Sequence, residues 1–147
     1  MQERFKTFTV LITKIKRSIR RIKTEEMAEF DLKSPHVSCL YYLYKAQTLT
    51  AKELCDICEE DKAAVSRSIE YLETNGYVTC NSKMQKRYRT PLELTEKGRE
   101  IGARIVERID RILGAASEGL DEAERLVMYR SLALISENLQ KLCDRYE

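Results

Sequence analysis

Phe5, Phe8, Ile12, Ile15, Ile19 and Ile22 recur at spacings of three and four, which predicts a first helix with a single apolar stripe. Lys14, Lys16, Arg17, Arg20, Arg21 and Lys23 fill the positions between them and read as its solvated face. Ser34-Pro35 marks the start of a second helix. Ser caps well, and Pro suits a first turn because its missing N–H has no partner there. Val37, Leu40, Tyr41 and Tyr44 supply that helix with a buried face. Thr50 and Glu53 form a capping-box pattern at the start of a short third helix, with Ala51, Leu54 and Ile57 on its apolar side. After the acidic corner Glu59-Glu60-Asp61, a fourth helix runs over 62–74. Val65, Ile69 and Leu72 face inward, and Asn75-Gly76 ends it.

The period then changes to two. Residues 77–80 and 90–94 predict two short strands, with Pro91 placing the second at an edge or an irregularity, because Pro cannot donate to a ladder. The polar loop between them carries Lys83, Lys86, Arg87 and Arg89 and no acid. Thr95 caps a long helix with Ile101, Ile105, Ile109 and Ile112 inward. A break over 114–119 precedes a last helix from near Asp121, carrying Leu126, Leu132, Ile135, Leu139 and Leu142. The expected fold is mainly α with a small β-hairpin.

Composition narrows the class. A chain of 147 residues with 34% charged and 43% hydrophobic side chains is globular and of single-domain size. No apolar run approaches the roughly 20 residues of a membrane span. The charged N-terminal stretch lacks a cleavage site, so a cytoplasmic protein is expected. Five cysteines (Cys39, Cys55, Cys58, Cys80 and Cys143) are an odd number in such a chain, which makes reduced thiols the expectation. The net charge of +2 is unevenly placed: residues 1–23 carry eight basic and one acidic side chains, and residues 61–99 carry eight and five.

Two helices joined by a tight corner, followed by a strand, a basic loop and a return strand, describe a winged helix-turn-helix. The second helix of such a pair enters the major groove of double-stranded DNA, and the first crosses the backbone. With Val65, Ile69 and Leu72 inward, Lys62, Ala63, Ser66, Arg67 and Glu70 point outward. Small side chains at Ala63 and Ser66 allow close approach, and Arg67 suits a guanine edge or a phosphate. Lys62, Ala63, Ser66, Arg67, Lys83, Lys86, Arg87 and Arg89 are therefore the candidate DNA contacts.

The stretch TAKELCDICEEDKAAVSRSIEYLETNGYV resembles the MarR-family helix-turn-helix, whose recognition helix ends in Leu-x-x-x-Gly-Tyr/Leu-Val/Ile. Leu94-Thr95-Glu96-Lys97-Gly98 is similar to that family's Leu-Thr-x-x-Gly, where the wing returns into the next helix. The resemblance extends through the Ser-Pro start at 34–35 and the helical flanks. It implies one MarR-like domain over 1–147, with a winged helix at 34–99 and dimerisation helices at 1–23 and 100–147. It also implies a homodimer on a pseudo-palindromic operator, and no enzymatic activity, metal or cofactor. In two places the chain departs from the family pattern. The wing reads Lys83-Met84-Gln85-Lys86-Arg87-Tyr88-Arg89 and lacks the usual Asp, so both Arg87 and Arg89 stand as candidates for the groove. Thr79-Cys80 replaces an Arg that often follows the recognition helix.

The resemblance further implies a repressor that releases DNA when a small aromatic or anionic effector binds near the junction of its two parts. His36, Cys39, Tyr41 and Tyr42 are the candidate pocket, with Tyr44 nearby in sequence; structural packing is the competing reading of each. Cys39 alternatively suits a redox response, since it follows a helix start where a thiolate is stabilised. Cys55-x-x-Cys58 sits on a short helix without a second Cys or His pair at metal spacing, which favours packing over zinc. A winged helix serving as a protein-interaction adaptor is a further alternative. A thiol or metal enzyme is disfavoured, because a single His and the absence of a Gly-rich phosphate loop leave no base beside a nucleophile.

Overall fold

The computed structural model describes residues 3–80 and 89–147. A π-helical stretch, Lys6–Leu11, leads into α1 (Ile12–Glu26), and a 3-10 turn, Ala28–Phe30, connects to α2 (Ser34–Ala46). Strand β1 (Thr48–Thr50) runs directly into α3 (Ala51–Ile57), followed by α4 (Lys62–Thr74). Strands β2 (Val78–Cys80) and β3 (Pro91–Leu94) precede α5 (Glu96–Ala116) and α6 (Glu122–Asp144). The chain forms two compact units, Met1–Ile109 and Asp110–Glu147, with α5 running through the boundary.

In the first unit, Leu40 and Leu43 of α2, Leu54 of α3, and Val65 and Leu72 of α4 are fully buried. They form one core with Leu92 of β3 and Ile105 of α5. Each such side chain contributes on the order of 1.5–3 kcal/mol by leaving water. This core fixes how α4 lies against α2 and α3.

The mainly α fold with a small sheet agrees with the sequence, but the sheet has three strands. Its order is β1-β3-β2, antiparallel throughout, with Thr48 opposite Glu93 and Val78 opposite Leu94. Pro91 therefore begins the central strand, so of the edge or irregularity expected it occupies neither an edge strand nor a strand interior but a strand start. It is tolerated because it is the first residue of β3 and lies beyond the last β2 pair, Cys80 with Leu92.

Other local expectations are corrected. The cap of α2 is Lys33; Ser34 is already helical, and its backbone N–H donates to Thr24 Oγ1 at 3.2 Å. The buried face of α2 is Val37, Ser38, Cys39, Leu40 and Leu43, while Tyr41 is half-buried and Tyr44 exposed. Tyr44 instead covers Gly102 of α5, where an added Cβ would lie 2.9 Å from its ring. Ile57 is exposed at the end of α3. Helix α5 continues through Gly114 to Ala116, so the interhelical break is shorter than expected. Lys23, expected on a solvated face, is buried.

Tight turns give α4 and α5 their ends. Gly76 adopts φ +79, the Tyr77 N–H donates to Leu72 O at 2.8 Å, and the Gly76 N–H donates to Glu73 O at 3.2 Å, which closes α4 in a Schellman turn. Thr95 Oγ1 accepts from the Gly98 N–H at 3.0 Å and donates to Gly76 O at 2.6 Å, tying the cap of α5 to the end of α4.

The second unit comprises the end of α5 and α6. Asp121 caps α6 by accepting from the Glu124 N–H at 2.8 Å, and Glu124 Oε2 accepts in return from the Asp121 N–H at 3.0 Å. Helix α6 has no buried residue; Leu126, Leu132, Leu139 and Leu142 are all exposed. No described helix is long and apolar enough to cross a membrane.

Candidate nucleic-acid interface

The helix pair α3–α4 is defined by two caps. Thr50 Oγ1 accepts from the Glu53 N–H at 3.1 Å, and its own hydroxyl donates to Glu53 Oε1 at 3.0 Å, as the sequence pattern predicts. Asp61 Oδ1 accepts from the Ala64 N–H at 2.7 Å and starts α4. Sequence reasoning assigned Asp61 only to the acidic corner. Its position three residues before a helical amide and just ahead of an apolar-periodic run is a capping signal that was available.

Helix α4 has two distinct sides. Val65, Ser68, Ile69 and Leu72 are buried, and Ser68 donates its hydroxyl to Ala64 O at 2.8 Å. Lys62, Ala63, Ser66, Arg67 and Glu70 are exposed, so the outward row is the one expected. Arg89 is also exposed. Lys83, Lys86 and Arg87 lie outside the described residues.

The corner between α3 and α4 is held by a polar network that the sequence did not reveal. Lys23 Nζ donates to Ser38 Oγ and to Glu59 Oε1, each at 2.7 Å, and Ser38 Oγ also donates to Glu59. Arg20 Nη1 donates to Glu60 Oε1 at 2.7 Å. Burial opposes a charge on Glu59. The Lys23 and Ser38 hydrogen bonds overcome it and hold the carboxyl down at about 2. Partners 36 residues apart in sequence leave no local signature.

Of the candidate effector residues, His36 lines a cavity beside α4 whose lining does not include Cys39, Tyr41 or Tyr42. Cys39 is fully buried in the core; its thiol donates to Cys58, and that bond together with burial pushes its pKa far up. The same bond draws the Cys58 thiol down. Tyr41 and Tyr42 meet edge to face with centroids 5.4 Å apart. Burial pushes the Tyr42 phenol up to about 12, and Glu59 adds to the shift. His36 lies elsewhere: its ring stacks on Tyr71 at 4.1 Å, and its Nδ1 accepts the Lys33 N–H at 3.0 Å. Burial, then the neighbouring Lys33 charge, lowers its pKa against a smaller opposing effect of Asp31. The structural reading of His36, that of a satisfied residue in a helix start, describes this geometry.

Among the described residues, cavities border α4 on two sides. One of about 220 Å³ is lined by Arg20, Thr24, Lys33, Ser34, Pro35, His36, Ala64, Arg67 and Ser68. The other, of about 500 Å³, is lined by Ala51, Ser66, Ile69, Glu70, Glu73, Thr74 and Leu92. The described residues hold no cluster of three or more His, Cys, Asp or Glu side chains able to hold a metal ion.

Comparison with known proteins accords with this geometry. The family model of the winged helix DNA-binding domain matches residues 36–113. The HTH-type transcriptional regulator YdcH of Bacillus subtilis is 31% identical over 116 residues, covering 73% of this chain and 78% of that protein. Among solved structures, a MarR-family transcriptional regulator from Listeria monocytogenes, complexed with a 26-mer DNA, shares 25% identity with a TM-score of 0.78, over 95% of this chain and 90% of that one. The MarR-family regulator NMB1585 of Neisseria meningitidis shares the fold at 18% identity and a TM-score of 0.82, over 99% of this chain and all of that one. The chain therefore belongs to the winged helix DNA-binding domain family and is a MarR-family transcriptional regulator.

Proposed function

We propose that this regulator is a homodimer that reads a pseudo-palindromic double-stranded operator and represses transcription until a small molecule releases it. The observation that carries the reading is the outward row of α4: Lys62, Ala63, Ser66 and Arg67 are exposed on a helix anchored from behind by Val65, Ile69 and Leu72. A helix so presented fits a major groove roughly 12 Å wide. Ala63 and Ser66 leave room for the groove floor. Arg67 pairs with a guanine edge, and Lys62 neutralises a phosphate. In this reading Lys83, Lys86, Arg87 and Arg89 of the wing meet the flanking backbone or minor groove. The DNA bound to the Listeria relative supports the same class of ligand.

Dimerisation is supported by apolar surface that a lone chain leaves in water. On α6, Leu126, Leu132, Leu139 and Leu142 are exposed, and near α1 so are Phe5, Phe8, Ile15 and Ile19. A second copy covers these stripes, so that 1–23 and 100–147 act as dimerisation helices around the winged helix of 34–99. Two-fold symmetry then spaces the half-sites by about one helical turn, roughly 34–36 Å.

Release by a small aromatic or anionic effector is supported by the cavity that His36 lines beside Arg67. The alternative of redox release through Cys39 has less support, because that thiol is buried and its pKa is raised. An adaptor role finds no support in a family of DNA-binding proteins. Gel retardation of the DNA upstream of the protein's own gene tests the reading. A specific, salt-sensitive shift is expected, and the absence of retardation for any such fragment at low salt would overturn it.

A further inference from the structure

The cavity of about 220 Å³ between α1, the start of α2 and α4 is built unlike the rest of the α4 surface. Its lining includes three cationic side chains, Arg20, Lys33 and Arg67, and no carboxylate. It sits at the N-terminus of α2, a 13-residue helix whose dipole places partial positive charge there. Ser34, also in the lining, is only 1% exposed, and its Oγ has no hydrogen-bond partner among the described residues. A buried hydroxyl in that condition requires an explanation, and a bound acceptor supplies one. His36 adds a neutral donor: its Nδ1 accepts from the Lys33 N–H, so its other nitrogen carries the proton, and burial keeps the ring uncharged. Arg20 gives Nη1 to Glu60 at 2.7 Å, which occupies one of its five donor positions.

We propose that this cavity is an oxyanion site whose occupant is a phosphate group. The inference deepens the reading of α4 as the DNA-contacting helix and rests on it for the consequence of occupancy, because Arg67 belongs both to the cavity lining and to the outward row. A phosphate of the operator backbone seated here fixes the register of α4 on the duplex. A phosphate on a free small molecule draws Arg67 away from the duplex. Phosphate in the cavity is the chemistry common to both.

The test uses the full-length, DNA-free protein titrated with inorganic phosphate against chloride at equal ionic strength, followed by amide chemical shifts. Saturable shifts centred on Ser34 and Arg67 are expected with phosphate and absent with chloride. Arg20→Gln and Ser34→Ala should each weaken phosphate binding, Arg20→Gln by about tenfold. Ser34→Ala leaves the Arg20–Glu60 pair intact and so separates loss of the site from loss of that pair. Parallel DNA titrations distinguish the sources. If the occupant is a backbone phosphate, both variants weaken specific and random duplex alike, and Arg20→Gln, which removes a cation, also reduces the salt slope by about one. If it is a free phosphate, Ser34→Ala keeps wild-type DNA affinity, and phosphate displaces the wild type from DNA more effectively than chloride. Phosphate shifts no larger than those of chloride, or variants that bind phosphate as the wild type does, overturn the proposal. Retardation of upstream DNA by the wild type is scored separately, so failure of the phosphate site is not confused with failure of DNA binding.

Discussion

Lys23 Nζ lies 2.7 Å from Glu59 Oε1, joining α1 to the corner between α3 and α4. The lysine is 8% exposed and also donates to Ser38 of α2, so one ammonium links three parts of the winged-helix unit. Arg20, one helical turn earlier, binds Glu60 at the same corner. The start of the recognition helix is therefore positioned by the N-terminal helix as well as by its own core. Lys23→Met removes the ammonium but keeps the chain length, leaving Ser38 Oγ without its donor and Glu59 with only neutral donors such as the Ser38 and Tyr42 hydroxyls. Because Glu59 is partly solvated, the expected loss is modest, about 1–2 kcal/mol by denaturant unfolding. An unchanged stability would mean the network is ornamental.

Acid should dissolve this corner before the rest of the fold. The Glu59 carboxyl is held at about 2, below its ordinary 4.5. A carboxyl whose pKa is depressed by folding contributes stability above its unfolded value and loses that contribution as pH falls toward the folded one. Wild-type stability should therefore decline between about pH 4.5 and 2. Glu59→Gln should be less stable at neutral pH and should show a flatter decline across that window.

Gly98 is required by a close approach. A Cβ added there would lie 2.0 Å from the carbonyl oxygen of Tyr77, which is backbone and cannot rotate away. Gly98→Ala should destabilise the protein by at least about 2 kcal/mol in chemical denaturation. Gly114→Ala is its control. Beyond its own helix backbone and chain neighbours, no described atom lies within 4 Å of the added Cβ there, and the residue is helical, so stability should hold or rise slightly.

The exposed stripe on α6 predicts that association depends on it. Leu132 is 46% exposed in the single chain. Leu132→Glu should shift sedimentation from dimer toward monomer and weaken binding to a two-half-site operator much more than to a single half-site. A variant that sediments as the wild type would remove α6 from the interface.

How much of this was legible in sequence follows from how local each signal is. The Thr50–Glu53 capping box, the Asn75-Gly76 stop, the Thr95 cap and the outward row of α4 all depend on residues within one or two turns, and each is present. Strand β1 is three residues long and gains its identity only by pairing with β3, so no period could announce it. The same pairing puts Pro91, expected at an edge or an irregularity, at the start of a central strand. Periodicity named Tyr44 as buried, whereas the helix turns Leu43 inward and leaves Tyr44 to cover Gly102. Helix geometry also separates two of the candidate effector residues. His36 and Cys39 are three residues apart, yet one sits at a helix start against Tyr71 and the other inside the core.

A fluorescence-anisotropy titration of the upstream DNA with wild type and Arg67→Ala shows whether α4 reads DNA through Arg67. At fixed salt the variant should bind its specific site more weakly by about 1–3 kcal/mol, with folding and dimerisation unchanged. Equal affinity of the two proteins for that site across a range of salt would mean that Arg67 does not read it.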